Sequence, residues 1–159
     1  MRIIGIDPGL NGAIAVLQNN KVIEIHDVPV MTDGKKNKRQ LNSAQLVKLL
    51  KDSFQDEANT VVVVEQVNAM PGQGVTSMFN FGQTFGAIKG VCAALNLPIF
   101  FVRPSKWKKY FNLINSQKDA SRTRAIETFP YFSAQLSKKK DSNKADAILI
   151  ASFYYETYQ

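Results

Sequence analysis

The run of four valines at residues 61–64 constrains the fold of this chain more than any other stretch. A strand without polar alternation is buried on both faces, which is typical of the middle of a sheet with helices on both sides. This strand ends in a carboxylate, Glu65, and the apolar run at residues 2–6 ends in another, Asp7, before a Pro-Gly turn. Such a carboxylate either caps the turn or has its charge compensated by a cation. Both explanations stay open for Asp7.

The other apolar runs predict an α/β fold of one domain, residues 1–159. Residues 13–17 and 22–28 are predicted to form an antiparallel meander with the first strand, because the links between them are short and rich in Gly and Asn. Residues 97–102 are predicted to run parallel to the valine strand, because a helix at 75–95 separates the two. Further helices are predicted at residues 43–56, with Ser43 as N-cap, and at 104–110, 118–129 and 144–155. The expected sheet is five-stranded and mixed, with three antiparallel and two parallel strands, and is flanked by helices.

A chain of 159 residues with 45% hydrophobic content can form one core. Its single cysteine, Cys92, excludes an internal disulfide framework, and no stretch approaches the roughly 20 apolar residues of a membrane span. Because the first strand starts at Arg2, no room is expected for a leader peptide. The expected location is the cytoplasm of a bacterial cell or of a phage-infected host, and an organelle stays open.

The net charge of +7 lies entirely in the second half of the chain. Residues 1–79 hold eight basic and eight acidic residues, whereas residues 80–159 hold twelve and five. This asymmetry favours a polyanionic partner, most commonly nucleic acid. The basic and aromatic candidates for DNA contact are Lys106, Trp107, Lys108, Lys109, Lys118 and Arg122. For Trp107 a place in the core is an equal alternative.

Two loops are further candidates for contact with DNA. The glycine-containing loop that follows Glu65 carries Met70 and Gln73 and is followed by Met78, Phe79 and Phe81. An apolar side chain there could hold bases unstacked, although for Phe79 and Phe81 packing in the core is the favoured alternative. A polar loop predicted at residues 31–40 either touches phosphate or is simply solvated. Its basic residues are Lys35, Lys36, Lys38 and Arg39.

A third carboxylate, Asp146, lies in the first turn of the apolar helix predicted at residues 144–155. If the first and fourth strands are neighbours, Asp7 and Glu65 meet at one edge of the sheet. Clustered carboxylates with few His and Cys side chains suit Mg²⁺ or Mn²⁺ and not zinc, and several are needed to hold two ions. The alternative for Asp146 is a capping box with Asn143 as N-cap, which does not exclude a ligand role.

Three blocks of this sequence resemble the catalytic blocks of the RuvC-type Holliday-junction resolvases. They are residues 5–9 (Gly-Ile-Asp-Pro-Gly), 64–67 (Val-Glu-Gln-Val) and 144–151 (Lys-Ala-Asp-Ala-Ile-Leu-Ile-Ala). Residues 103–108 and 118–122 are closer to the phage and organelle-type branch. The resemblance covers nearly the whole chain. It implies an RNase H-like fold, a homodimer, and paired symmetric nicks in four-way DNA junctions with two Mg²⁺ or Mn²⁺ ions per site.

The resemblance also implies which residues bind the metal. Asp7, Glu65 and Asp146 match the family's ligands. The family often has an acid or histidine three residues before the last aspartate, where this chain has Asn143. The nearest carboxylate is Asp141, which we predict to be the fourth ligand with Asn143 assisting.

Other functions stay open at this stage. The chain could be another RNase H-like nuclease that cuts branched DNA or RNA–DNA hybrids, or a non-catalytic protein that binds junctions. Sugar kinases and actin-like ATPases also begin with a strand, an aspartate and a glycine turn. They need two such domains, and a chain of 159 residues is too short for that.

Overall fold

The computed structural model describes residues 1–32, 34, 38–54 and 57–159. Lys35 and Lys36, proposed above as phosphate contacts, and the predicted helix end at Asp56 lie outside the described residues. The strands are β1 (Arg2–Ile6), β2 (Ala13–Gln18), β3 (Lys21–Asp27), β4 (Val30–Thr32), β5 (Arg39–Leu41), β6 (Thr60–Glu65) and β7 (Ile99–Val102). The helices are α1 (Ser43–Ser53), α2 (Val75–Ala94), α3 (Pro104–Tyr110), α4 (Ala120–Thr128) and α5 (Ser142–Tyr158).

Five of the strands form one mixed sheet in the order β3-β2-β1-β6-β7. The pairs β1–β2 and β2–β3 are antiparallel, whereas β1–β6 and β6–β7 are parallel. The predicted fold is therefore confirmed. In the parallel pair Ile6 lies opposite Val64, so Asp7 and Glu65 occupy the next positions of two adjacent strands that point the same way.

Helices cover both faces of the sheet, as the valine run predicts. On one face Ile3, Ala15 and Val63 pack with residues of α3, α4 and α5. On the other face Ile4 and Val62 pack with residues of α1 and α2. No helix among the described residues is both long and apolar enough to cross a membrane.

Three local predictions need correction. Asn42, and not Ser43, is the N-cap of α1, because the Asn42 side chain accepts a hydrogen bond from the Gln45 amide at 3.0 Å. The loop predicted at residues 31–40 is bordered by β4 and β5, which pair as a small antiparallel hairpin. Helix α5 begins at Ser142, two residues before the predicted start.

The first strand and α5 approach each other at Gly5. A Cβ atom on Gly5 would overlap the backbone oxygen of Ala147 and would lie 2.9 Å from the Cβ atom of Ala151. A Cβ atom on Gly12, in the turn after β1, would overlap the backbone oxygen of Asp7. The two glycines let α5 pack directly on β1 and close the turn against Asp7, which brings Asp146 towards the end of β1.

Candidate active site

Three half-buried carboxylates share one site at the edge of the sheet. Asp7 follows β1, Glu65 is the last residue of β6, and Asp146 projects from the second turn of α5. The negative charges of Glu65 and Asp146 both act on Asp7, and the charge of Asp146 also acts on Glu65. The structure therefore places the three carboxylates that the sequence singled out within electrostatic reach of one another.

The site carries more negative charge than its surroundings compensate. Burial, together with repulsion from Glu65 and then Asp146, raises the pKa of Asp7 from 3.8 to about 7, against a backbone hydrogen bond at Gly9. Burial also raises the pKa of Glu65 and that of Asp146. The ammonium group of Lys108 opposes all three shifts without reversing them. Perturbed carboxylates of this kind are typical of functional sites.

Trp107 is a positioning residue for Glu65. Its indole ring is 0% exposed, and its Nε1 atom donates a hydrogen bond to Oε1 of Glu65 at 2.9 Å. Of the two alternatives for Trp107, the structure supports the core, because a fully buried ring presents no face on which a base could stack. The half-buried Lys108 lies beside it, with Nζ 5.3 Å from the ring centroid.

Asp146 is held by a residue that the sequence analysis did not select. The hydroxyl of Ser121, at the start of α4, donates a hydrogen bond that partly offsets the effect of burial on the pKa of Asp146. The predicted capping box of Asn143 and Asp146 is wrong, because Asp141 precedes the first turn of α5 and Asp146 lies beyond it. The carboxylate of Asp146 is therefore not used as a helix cap.

The structure gives Asp141 other partners. This carboxylate is 5% exposed and accepts hydrogen bonds from the Lys138 amide at 2.9 Å and from Nζ of Lys144 at 3.2 Å. Although burial raises the pKa of Asp141, these two bonds and the positive charges of Lys144 and Lys140 together outweigh burial and hold the pKa below its ordinary value. The Asn143 side chain donates to the backbone oxygen of Asn11. These contacts give no support to Asp141 or Asn143 as metal ligands.

The other side chains predicted to contact DNA differ in whether they are already bonded within the chain. Nζ of Lys106 donates to the hydroxyl of Tyr158 at 3.0 Å, and Lys109 is exposed. Arg122 is engaged within the chain, since it forms two hydrogen bonds with Asp119 at 2.6 and 2.7 Å. Lys118 acts on Asp146, where its charge lowers the pKa of that carboxylate. Lys118 is therefore the basic residue, with Lys108, that the structure places near the carboxylates.

In the loop after β6, Met70 is 62% exposed and Gln73 is also exposed. The Gln73 side chain accepts a hydrogen bond from the Met70 amide at 3.4 Å, which keeps the two residues together. Contact between this loop and DNA stays a prediction.

The three carboxylates have the right chemistry to bind a hard divalent cation, but their side chains lie too far apart to enclose one. Asp7, Glu65 and Asp146 offer only carboxylate oxygens, the ligands that Mg²⁺ and Mn²⁺ prefer. Within the part of the chain that the structure describes, no three His, Cys, Asp or Glu side chains stand close enough to enclose an ion. A cation bound by all three carboxylates would therefore require them to move closer together.

Comparison with known proteins shows which solved structures have a similar fold. No family model and no curated protein matches the sequence. The RuvC of Thermus thermophilus in complex with a Holliday junction substrate is 17% identical, with a TM-score of 0.62 over 99% of this chain and 97% of that one. A second Thermus thermophilus RuvC structure is 20% identical, with a TM-score of 0.57 over 98% and 96%. The fowlpox virus Holliday junction resolvase is 18% identical, with a TM-score of 0.60 over the whole of both chains.

The chain has the RuvC fold. The match extends along nearly the entire length of both partners, so the RuvC-like sheet, the helices on its two faces and the C-terminal helix are all included. The three carboxylates thus lie at the sheet edge of a RuvC-like fold.

Asp7→Asn is expected to stabilise the cation-free protein above neutral pH. Because the folded pKa of about 7 exceeds the ordinary 3.8, the folded state retains a proton that the unfolded state has lost. Stability from this group is therefore complete below about pH 3.8 and is lost as pH rises to about 7. The melting temperature in EDTA should be higher for Asp7→Asn than for the wild type at pH 8, and the difference should shrink towards pH 4.

Asp52→Asn is the control, because Asp52 is an exposed carboxylate on α1. It should leave the pH profile of the melting temperature unchanged. Equal melting temperatures of Asp7→Asn and wild type at pH 8 would show that burial and the neighbouring carboxylates do not raise the pKa of Asp7 in the folded protein.

Proposed function

We propose that this protein is a metal-dependent endonuclease that resolves four-way DNA junctions by paired symmetric nicks. The observation that carries the proposal is the meeting of Asp7, Glu65 and Asp146 at the edge of a RuvC-like sheet. Two of the similar structures support the substrate, since one is a Holliday junction resolvase and the other contains a Holliday junction. The positive second half of the chain supports a polyanionic partner.

The carboxylates would hold two Mg²⁺ or Mn²⁺ ions. When bound, such ions activate a water molecule and stabilise the leaving oxygen of the phosphodiester. The protein's own residues have separate tasks. Trp107 fixes one oxygen of Glu65, and Ser121 fixes Asp146. Lys108 lies within electrostatic reach of all three carboxylates, where it can bind the phosphate that is cut.

The proposal is tested with purified protein and a labelled immobile four-way junction in Mg²⁺ or Mn²⁺. Two nicks at symmetric positions in opposite strands are expected, with little cutting of a linear duplex. Preferred cutting of a flap or an RNA–DNA hybrid would indicate a different RNase H-like nuclease. Tight junction binding without cleavage, even in Mn²⁺, would indicate a non-catalytic junction-binding protein.

Symmetric nicking requires two active sites, and α2 is the surface that we propose for a homodimer. One face of α2 carries exposed residues at helical spacing that are apolar or lack a side chain: Val75, Phe79, Gly82, Gly86, Gly90 and Ala93. Val75 is 86% exposed and Phe79 66% exposed. A Cβ atom at any of the three glycines would meet nothing within 4 Å, so none of the residues that the structure describes occupies the gap that they leave. A second copy of α2 fits such a stripe, because glycines at this spacing let two helices approach closely.

Gly86→Glu is expected to convert the dimer to a monomer. The position is open within the subunit, so the fold should tolerate the side chain. Two carboxylates would face each other across a symmetric interface. Light scattering should give 17.7 kDa for Gly86→Glu and twice that mass for the wild type.

Asn80→Glu provides the matched control, since it adds the same charge at an exposed position of α2 away from the stripe. It should remain dimeric. A dimeric Gly86→Glu protein would place the interface elsewhere.

A further inference from the structure

A groove of about 670 Å³ lies beside the turn that joins β1 and β2. Its lining includes Asn11 and Gly12 of that turn and Asn143 in the first turn of α5. The lining also carries four basic residues from three parts of the chain: Arg39, Lys118, Lys139 and Lys140. Sequence reasoning selected two of these four residues, Lys118 as a DNA contact and Arg39 in a loop that either touches phosphate or is solvated. Lys139 and Lys140 were not selected, so the sequence pattern showed only part of the groove.

The groove has an excess of positive charge. Of the two carboxylates in its lining, Asp119 is paired with Arg122 at 2.6 Å, and Asp27 lies 4.0 Å from Nζ of Lys144. Among the described residues, Lys118, Lys139 and Lys140 form no ion pair. Three ammonium groups around one concave surface are therefore available for an anionic ligand.

The turn side of the groove is held in place. The guanidinium group of Arg39 donates a hydrogen bond to Oδ1 of Asn11 at 2.8 Å, and the Asn143 side chain donates to the backbone oxygen of Asn11. The hairpin of β4 and β5 and the start of α5 are thus both bonded to the β1–β2 turn. The groove is a built feature of the fold, since its walls are connected by hydrogen bonds.

The groove lies beside the carboxylate site. Lys118 lines the groove, and its charge also lowers the pKa of Asp146. Gly12 lines the groove, and it packs against the backbone of Asp7. A strand whose phosphate reaches the carboxylates can therefore extend directly into the groove.

We propose that this groove binds the sugar–phosphate backbone of the cut DNA strand beside the scissile bond. Lys118 holds the phosphate nearest the carboxylates, and Lys139 and Lys140 hold phosphates further along the strand. This inference rests on the proposed function, because it takes the carboxylates as the place of cutting. The contacts are to phosphate, so they position the strand and do not read its sequence.

The test is the double variant Lys139→Ala/Lys140→Ala, assayed for binding of a labelled four-way junction in EDTA at several salt concentrations. Junction affinity should weaken at least about tenfold, and the slope of log K against log salt should fall by about 2, one for each lost phosphate contact. Both lysines are exposed, so the fold should survive, which a melting curve checks. The double variant Lys48→Ala/Lys51→Ala removes the same charge from α1 on the other face of the sheet and should change the slope by less than about 0.5.

Binding and cleavage are measured separately, so the two proposals fail in different ways. If the wild type cuts junctions but the slope of Lys139→Ala/Lys140→Ala is unchanged, the groove proposal is overturned and the proposed function stands. If the slope falls as expected but the wild type never cuts, the groove stands as a DNA-binding site and the proposed function fails. Equal slope changes in both double variants would also overturn the groove, because they would show a general effect of net charge.

Discussion

Asp7→Asn, and equally Glu65→Gln, is expected to slow junction cleavage at least about a thousandfold while changing junction affinity by no more than about tenfold. Metal ions contribute several kcal/mol to transition-state stabilisation in phosphoryl chemistry, and each 1.4 kcal/mol is about a factor of ten in rate. Either substitution removes one of the three carboxylates proposed to hold the ions. The basic residues proposed to bind phosphate are untouched, so the DNA should still bind.

The measurement combines single-turnover cleavage of the labelled junction with a binding curve in Ca²⁺ or EDTA. Asp52→Asn is the control. It removes an exposed carboxylate on α1, and this variant should cleave at the wild-type rate. Heating curves add a reading that does not depend on activity. Mn²⁺ should raise the melting temperature of the wild type more than that of Asp7→Asn or Glu65→Gln. Undiminished cutting by either variant would remove these carboxylates from the mechanism.

Gly5→Ala is expected to reduce the free energy of unfolding by about 3 kcal/mol, a large cost for the addition of one methyl group. The new Cβ atom would overlap the backbone oxygen of Ala147 and press on the Cβ atom of Ala151. Neither atom belongs to a flexible side chain, so relief requires α5 to shift away from β1. Because α5 carries Asp146, the same shift should separate Asp146 from Asp7 and lower cleavage in the folded fraction.

Urea unfolding followed by circular dichroism measures the loss of stability, and cleavage at low temperature measures the loss of activity. Gly9→Ala is the matched control in the same segment of the chain. A Cβ atom there would come no closer than 3.7 Å to its neighbours, so stability should change by less than about 1 kcal/mol. Equal behaviour of the two variants would mean that β1 and α5 are not in close contact.

Sequence reasoning was most successful where periodicity determines burial. The unbroken valines of β6 predict a central strand, and the helix before β7 predicts a parallel partner. Both predictions are confirmed. The same pattern explains why Asp7 and Glu65 meet, since residues that follow parallel neighbouring strands leave the sheet at one edge.

It was least successful where a side chain's role depends on packing at a distance. Nothing near Trp107 in the sequence shows that its ring is buried against Glu65, 42 residues away. Ser121 is likewise joined to Asp146 only by the packing of α4 on α5. Helix starts were also misplaced, because Asn42 and Ser43 are both good capping residues and only the structure shows which one is used.

Because of the hydrogen bond between Trp107 and Glu65, tryptophan fluorescence can report on the carboxylate site. The sequence contains a single tryptophan, so the intrinsic indole emission of the protein comes from Trp107 alone. That ring is shielded from water and touches the carboxylate of Glu65 directly. Any event that rotates or neutralises Glu65 changes the electric field at the fluorophore. The unmodified protein thus carries its own optical reporter, at the position where a cation and a phosphate would arrive.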